Sequence, residues 1–114
     1  MKIVNEASVS ELEQMSKNMY EPMVKAVIDV RRRIIAIDGG LHADEELYLL
    51  LGGSEQKDLW GINLWPSRYG SDSFIEFDSM INMRPDLNNF SRSVDDEKIR
   101  ELIKEIVGGI VHAG

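Results

Sequence analysis

The fold class is decided by one stretch of sequence, Val24-Lys25-Ala26-Val27-Ile28-Asp29-Val30, and by the run that follows it, Arg33-Ile34-Ile35-Ala36-Ile37. In the first run apolar residues occupy every even position, and the second run is rich in β-branched residues. Both patterns are typical of strands. Arg31-Arg32 is short enough to be a tight connection, and Asp38-Gly39-Gly40 ends the second run. The stretch therefore predicts an antiparallel hairpin.

Two further strands are predicted nearer the C-terminus. Residues 59–65 alternate between two faces and end before Pro66, and residues 74–83 alternate in the same way and end shortly before Pro85. Proline ends both runs because it cannot donate to a strand ladder. A polar loop, residues 67–73, is predicted between them.

The first helix is predicted from its capping signals. Ser10 and Glu13 have the spacing of a capping box, and Ser8 and Glu11 offer a second register. Apolar residues then follow at helical spacing: Leu12, Met15 and Met19. The helix is expected to end before Pro22, since the residue before a proline avoids the helical region.

The last helix is predicted to begin after Ser93 or Asp95, either of which is a suitable N-cap. Its apolar residues repeat at helical spacing: Ile99, Leu102, Ile103, Ile106, Val107 and Ile110. Residues 111–114 are expected to be frayed. Residues 41–53 fit either a strand or a helix. Asp44-Glu45-Glu46 and Gly52 favour a helix because they suit its N-terminus and C-cap.

The predicted order is α-β-β-α-β-β-α, which indicates an α+β fold. We expect a four-stranded, mainly antiparallel sheet with helices packed on one face. A chain of 114 residues fits one domain, residues 1–114.

Composition narrows the function classes. The chain has no cysteine, which excludes disulfides, cysteine–zinc sites and thiol nucleophiles. Its net charge of −7 argues against nucleic acid as a partner, because phosphate backbones repel such a surface. No apolar run is long enough to suggest a signal peptide or a membrane span. We therefore expect a cytoplasmic protein with neither a nucleic-acid nor a membrane partner.

The alternation of the two later strands predicts a polar platform on one face of the sheet. Strand parity places four polar side chains there: Asn63, Glu76, Asp78 and Asn82. Gly61 leaves bare backbone beside them, and Arg84 continues the same parity. The platform fits a small polar ligand or a cation. The water-facing side of an antiparallel sheet explains the same pattern without a ligand.

Two other segments carry candidate chemistry. His42-Ala43-Asp44-Glu45-Glu46 places His42 beside Glu46 on a helix, or beside Asp44 on a strand, and either pair could supply two metal ligands. An acidic helix start explains this segment equally well. The loop of residues 82–92 has two arginines and three asparagines just before a helix, and could hold a phosphate or a carboxylate. Ordinary turns and caps also use these residues.

The chain resembles a family of short prokaryotic proteins of unknown function. Three segments carry the resemblance, with residues 89–92 behind them: Leu41-His42-Ala43-Asp44-Glu45-Glu46, Asp58-Leu59-Trp60-Gly61-Ile62-Asn63 and Ser79-Met80-Ile81-Asn82-Met83-Arg84-Pro85. It covers residues 2–107 and implies a small stand-alone protein. It implies no activity, cofactor or catalytic residue.

Three functional hypotheses remain open. The first is a binding module for a polar or anionic ligand, or for a partner protein, with these ligand-binding residues: Asn63, Asn82, Arg84, Asn89 and Arg92. The second is a divalent-cation-dependent hydrolase with these catalytic or metal-ligating residues: His42, Asp44, Glu76 and Asp78. The third is an acidic protein that blocks a basic partner. A homodimer is a further expectation, because a small sheet has edges that need cover. No cofactor motif is present, so the cofactor stays open.

Overall fold

The central sheet lies between helices that cover both of its faces. The computed structural model describes residues 1–17, 19 and 21–114. Its strands, in chain order, are β1 (Lys2–Val4), β2 (Ala7–Ser8), β3 (Val24–Asp29), β4 (Ile34–Ile37), β5 (Leu59–Leu64), β6 (Ile75–Glu76) and β7 (Val111–His112). The helices are α1 (Val9–Ser16), α2 (His42–Leu51) and α3 (Glu97–Ile110).

The main sheet has five strands in the order β1-β4-β3-β5-β6, and all neighbouring pairs are antiparallel. The α+β class and the β3–β4 hairpin are confirmed, with Val27 opposite Ala36. The prediction of four strands was wrong because β1 is also part of the sheet. Three residues are too few to show the alternation by which strands are recognised in a sequence.

The C-terminal residues do not fray as predicted. β7 pairs with β2 in a separate parallel ladder that places Val111 opposite Ala7. The backbone N–H of Ser10 also donates to the carbonyl of Gly114, the last residue. A ladder between the two ends of the chain depends on contacts about a hundred residues apart, which no local pattern can indicate.

The helices cover both faces of the sheet rather than the one face predicted. α1 and α3 pack over Ala26, Ile28 and Ile62, whereas α2 packs through Leu49 on the face that carries Val27. Both layers are needed because β3 and β5 are buried almost throughout. Strands with two buried faces read as nearly continuous apolar runs, and β3 does so.

The structure decides between the alternatives that the sequence left open for the helices. Residues 42–51 are helical, and α1 uses the second capping box, in which Ser8 Oγ accepts from Glu11 N at 3.1 Å. Neither predicted cap of the last helix is used. Asp96 caps α3 by accepting from Lys98 N at 2.8 Å. Helix α1 stops at Ser16, so the predicted apolar stripe ends before Met19.

Only Ile75–Glu76 forms a strand within the predicted segment 74–83. Beyond these two residues the chain leaves the sheet and enters short 3₁₀ turns at Met80–Asn82 and Pro85–Leu87. The freed edge of β5 is closed by side chains instead. The Asn82 carboxamide accepts from Gly61 N at 2.8 Å and donates to Gly61 O at 2.9 Å, as a neighbouring strand would.

The close approach at Gly61 predicts that replacement by alanine destabilises the fold. A Cβ on Gly61 would lie 2.5 Å from both Cβ and Oγ of Ser79. We expect Gly61→Ala to lower the free energy of unfolding by about 1–3 kcal/mol, the usual range for overpacking. Gly108→Ala is the matched control, since a Cβ there meets nothing within 4 Å and α3 should gain about 0.5–1 kcal/mol. Urea unfolding of both variants checks the prediction, and equal shifts would contradict it.

Candidate functional site

A cleft of about 230 Å³ lies between the start of α2 and the chain that follows β6. Its polar lining consists of Lys25, His42, Ser79 and Arg92. Its apolar lining consists of Leu41, Ala43, Met80 and Ile81. The cleft therefore joins two of the segments that the sequence singled out, the start of α2 and the loop before α3, whereas none of the predicted platform residues lines it.

Lys25 enters the cleft from the sheet. It lies opposite Asn63 in the β3–β5 register, and Asn63 lies opposite Glu76 in the β5–β6 register. The three side chains thus form one row across the α2 face. Lys25 is half-buried, and no carboxylate lies within 4.0 Å of its ammonium in the part of the chain that the structure describes. Sequence analysis did not select Lys25. The available signal was its alternation with Ala26 in β3, which places it on the same face as Val27.

His42 is the first residue of α2 and is held against the sheet. Its Nε2 lies 2.8 Å from the carbonyl oxygen of Ile62, which can only accept, so Nε2 carries the hydrogen. Burial lowers the pKa of His42 below its ordinary value, and the hydrogen bond to Ile62 opposes that shift in part. The ring is therefore neutral at pH 7, with Nδ1 as its free acceptor.

Arg92 and Asp78 form an ion pair at the rim of the cleft. The Arg92 Nε donates to Asp78 Oδ1 at 2.6 Å, and both side chains are about half exposed. Exposed pairs of this kind contribute little to stability. The pair matters for the cleft because Asp78 neutralises the charge that Arg92 brings to it.

The structure brings Asn63 and Glu76 together as the predicted platform requires. Asn63 Nδ2 donates to Glu76 Oε1 at 2.8 Å and to the Asp78 carbonyl at 3.2 Å. Trp65 Nε1 shares the same carboxylate at 3.3 Å. Asn63 Oδ1 is buried and has no hydrogen-bond partner among the described residues. Asn63 is thus an anchored residue behind the cleft, next to His42.

Asn82, Arg84 and Asn89 are buried and bonded to backbone. Asn82 bonds both polar groups of Gly61 and also donates to the Arg92 carbonyl at 3.0 Å. Asn89 Nδ2 donates to the Asn82 carbonyl at 2.7 Å. The Arg84 guanidinium donates to the carbonyls of Gln56 and Leu59 and stacks 4.4 Å from the centre of the Trp60 ring. These side chains hold the loop in place and do not line the cleft, so their role in ligand binding stays a prediction.

The four predicted metal ligands, by contrast, do not form a cluster. His42 is in the cleft, but Asp44 lies in a separate groove that Leu47, Tyr48 and Leu51 line. Across residues 1–17, 19 and 21–114, no group of three or more His, Cys, Asp or Glu side chains is placed to hold a metal ion. The geometry of these ligands therefore gives no support to the cation-dependent hydrolase.

Glu45 is buried beneath α2. Its Oε2 accepts from Gly39 N at 3.1 Å, and burial raises its pKa to about 8, although Lys25 acts in the opposite direction. A Cβ on Gly39 would lie 2.6 Å from Glu45 Cγ, so the turn after β4 needs glycine at that position. With a pKa of about 8, Glu45 is mostly protonated at pH 7.

The start of α2 brings backbone N–H groups to the cleft, and Asp44 in the same first turn partly offsets their positive charge. Its N-cap, Leu41, has no side chain that can accept from the first backbone N–H groups. These groups carry the partial positive charge of the helix dipole. Because Arg92 is paired with Asp78, Lys25 is the one charged side chain that lines the cleft without an ion-pair partner in the described structure.

The fold and the cleft together define a small α+β protein with a cationic cleft at a helix N-terminus. The chain belongs to the family described as proteins of unknown function DUF5674, whose sequence model matches residues 1–110. This match confirms the resemblance to a family without an assigned activity. Comparison with curated proteins and with solved structures finds no match. None of the helices in the described residues has the length and apolar character needed to cross a membrane.

Removal of the Asn82 carboxamide tests its structural role. Asn82→Ala leaves the N–H and the carbonyl of Gly61 without partners in a buried setting. Because each of these two groups costs about 1–3 kcal/mol, we expect a loss of about 2–6 kcal/mol in the free energy of unfolding. Thermal and urea melts measure the loss. The control is Ser73→Ala in the exposed loop. Asn88→Ala is unsuitable because the φ of 57° at Asn88 would itself make alanine unfavourable there. A loss no larger than that of the control would contradict the role.

The buried carboxyl of Glu45 predicts a pH-dependent stability. The folded protein keeps this proton up to about pH 8, whereas the unfolded chain releases it near 4.5. The folded state binds more protons between these values, so stability falls as the pH rises through them. Glu45→Gln removes the loss and should be more stable than the parent at pH 8 by about 2–4 kcal/mol, with little difference at pH 4.5. Urea unfolding across this range checks the prediction, with exposed Glu13→Gln as control. Parallel pH curves for Glu45→Gln and the parent would exclude it.

Proposed function

We propose that the protein binds a small anion in the cleft between α2 and the segment of residues 78–92. Lys25 is a half-buried residue that lines the cleft, and its ammonium has no carboxylate partner in the described structure; this observation carries the proposal. A cation without a counter-ion in the protein is stabilised by an anion from solution.

Two further groups support an anion at this position. The uncapped N–H groups at the start of α2 point along the helix axis and favour negative charge. Arg92 lies at the rim and has guanidinium donors beyond the Nε that binds Asp78. Of the ligand-binding residues predicted from the sequence, the proposal keeps Arg92 in the cleft and Asn63 behind it. It adds Lys25 and His42, which the structure places in the cleft lining.

The other functional hypotheses are still predictions. A basic partner protein is consistent with the net charge of −7, and a homodimer is consistent with the free edge of β1. A cytoplasmic location is also still a prediction. The anion site is preferred because specific side chains in one cleft support it, whereas the alternatives depend only on the net charge of the chain and on an edge of its sheet.

The proposal is tested by titrating isotopically labelled protein with acetate and with inorganic phosphate at low ionic strength. We expect millimolar dissociation constants, which are usual for ligands of so few atoms, and amide shifts at Lys25, His42 and Ala43. Lys25→Gln should weaken binding at least fivefold because it removes the free charge of the cleft. Lys98→Gln is the matched control, since it removes the same charge from an exposed position on α3.

The outcomes separate a local site from general electrostatics. Equal losses of affinity in the two variants would mean that the net charge of the chain, and not the cleft, governs the binding. The absence of shifts at these three residues with either anion would overturn the proposal.

A further inference from the structure

The apolar wall of the cleft carries information about the ligand beyond its charge. Leu41, Met80 and Ile81 share the lining with the polar groups, and two of them are well exposed: Leu41 at 55% and Met80 at 63%. An inorganic ion would bind the polar groups and leave these apolar side chains in water. We propose that the ligand is an organic monocarboxylate with a short apolar tail, an inference that rests on the proposed anion site.

The charge of the cleft limits the ligand to one negative charge. Lys25 is the one free cation among the described lining side chains, because Arg92 is paired with Asp78 at 2.6 Å. His42 is neutral through its burial and can accept a hydrogen bond at Nδ1 but supplies no charge. A second carboxylate on the ligand would find no second cation and would face the apolar wall instead.

The volume of the cleft limits the tail. About 230 Å³ exceeds the roughly 150 Å³ of an apolar cavity that holds the six carbon atoms of benzene. A carboxylate with four or five carbon atoms fits this space. Its carboxylate would lie at Lys25, and its tail would run along Met80.

The ligand series that tests this inference consists of acetate, pentanoate and glutarate. Pentanoate adds a tail to acetate, and glutarate replaces the tail methyl of pentanoate by a second carboxylate. Each fully buried methylene strengthens binding roughly fourfold. Since the wall covers one side of the tail, we expect pentanoate to bind about tenfold more tightly than acetate. We expect glutarate to bind no more tightly than acetate.

The matched variants are Met80→Gln and Phe90→Gln. Both residues are exposed, at 63% and 64%, but only Met80 lines the cleft in the described structure. Met80→Gln should reduce the affinity for pentanoate about threefold or more and leave acetate within twofold. Phe90→Gln should change neither. Because both side chains are largely in water, both variants should fold, and a thermal melt of each checks this.

The outcomes distinguish the ligand class from the anion site itself. If acetate and phosphate bind at Lys25 but pentanoate is no tighter than acetate, or if glutarate is the tightest, the monocarboxylate inference is wrong and the anion site stands. An equal effect of Met80→Gln on pentanoate and acetate would also overturn the inference. If no anion in the series binds, the anion site and the inference both fail.

Discussion

The hydrogen bonds between the Asn82 carboxamide and the Gly61 backbone are the contact on which the rest of the site depends. β6 covers only two residues of β5, so most of that edge would otherwise be unpaired. A side-chain amide has one donor group and one acceptor and can replace a ladder partner at a single residue. By doing so at Gly61 it draws residues 79–82 over the sheet, where Ser79 meets the bare backbone.

The loop that Asn82 holds is also the second wall of the cleft. Met80 and Ile81 come from the 3₁₀ turn that ends at Asn82, and Arg92 accepts at its carbonyl from the same carboxamide. Across the gap, α2 supplies the first wall and β3 supplies Lys25. Stability and the proposed anion binding would therefore depend on the same contacts, because the group that closes the sheet edge also sets the distance between the two walls.

Burial organises the electrostatics of the cleft in two ways. It keeps Glu45 protonated at neutral pH and His42 unprotonated, so two ionisable groups near Lys25 contribute no charge. One ammonium in the cleft, that of Lys25, is thus without an ion-pair partner among the described residues, although the net charge of the chain is −7. Average charge describes how the whole surface attracts or repels large partners, whereas a cleft responds to the few groups that line it.

Local patterns were enough to predict the α+β class, the β3–β4 hairpin, α3 and the face of β5 that carries Gly61 and Asn63, because the periodicity of a segment fixes which of its side chains share a face. The remaining features depend on contacts between residues far apart in the chain. The edge strand β1 and the terminal ladder β2–β7 depend on distant partners, and α2 took the second face of the sheet because β3 and β5 needed cover on both sides. The sequence pattern also did not reveal the roles of Lys25, Asn82 and Arg84. A polar side chain in the sequence can face water, a ligand or a backbone group, and the three-dimensional position of its neighbours selects among them.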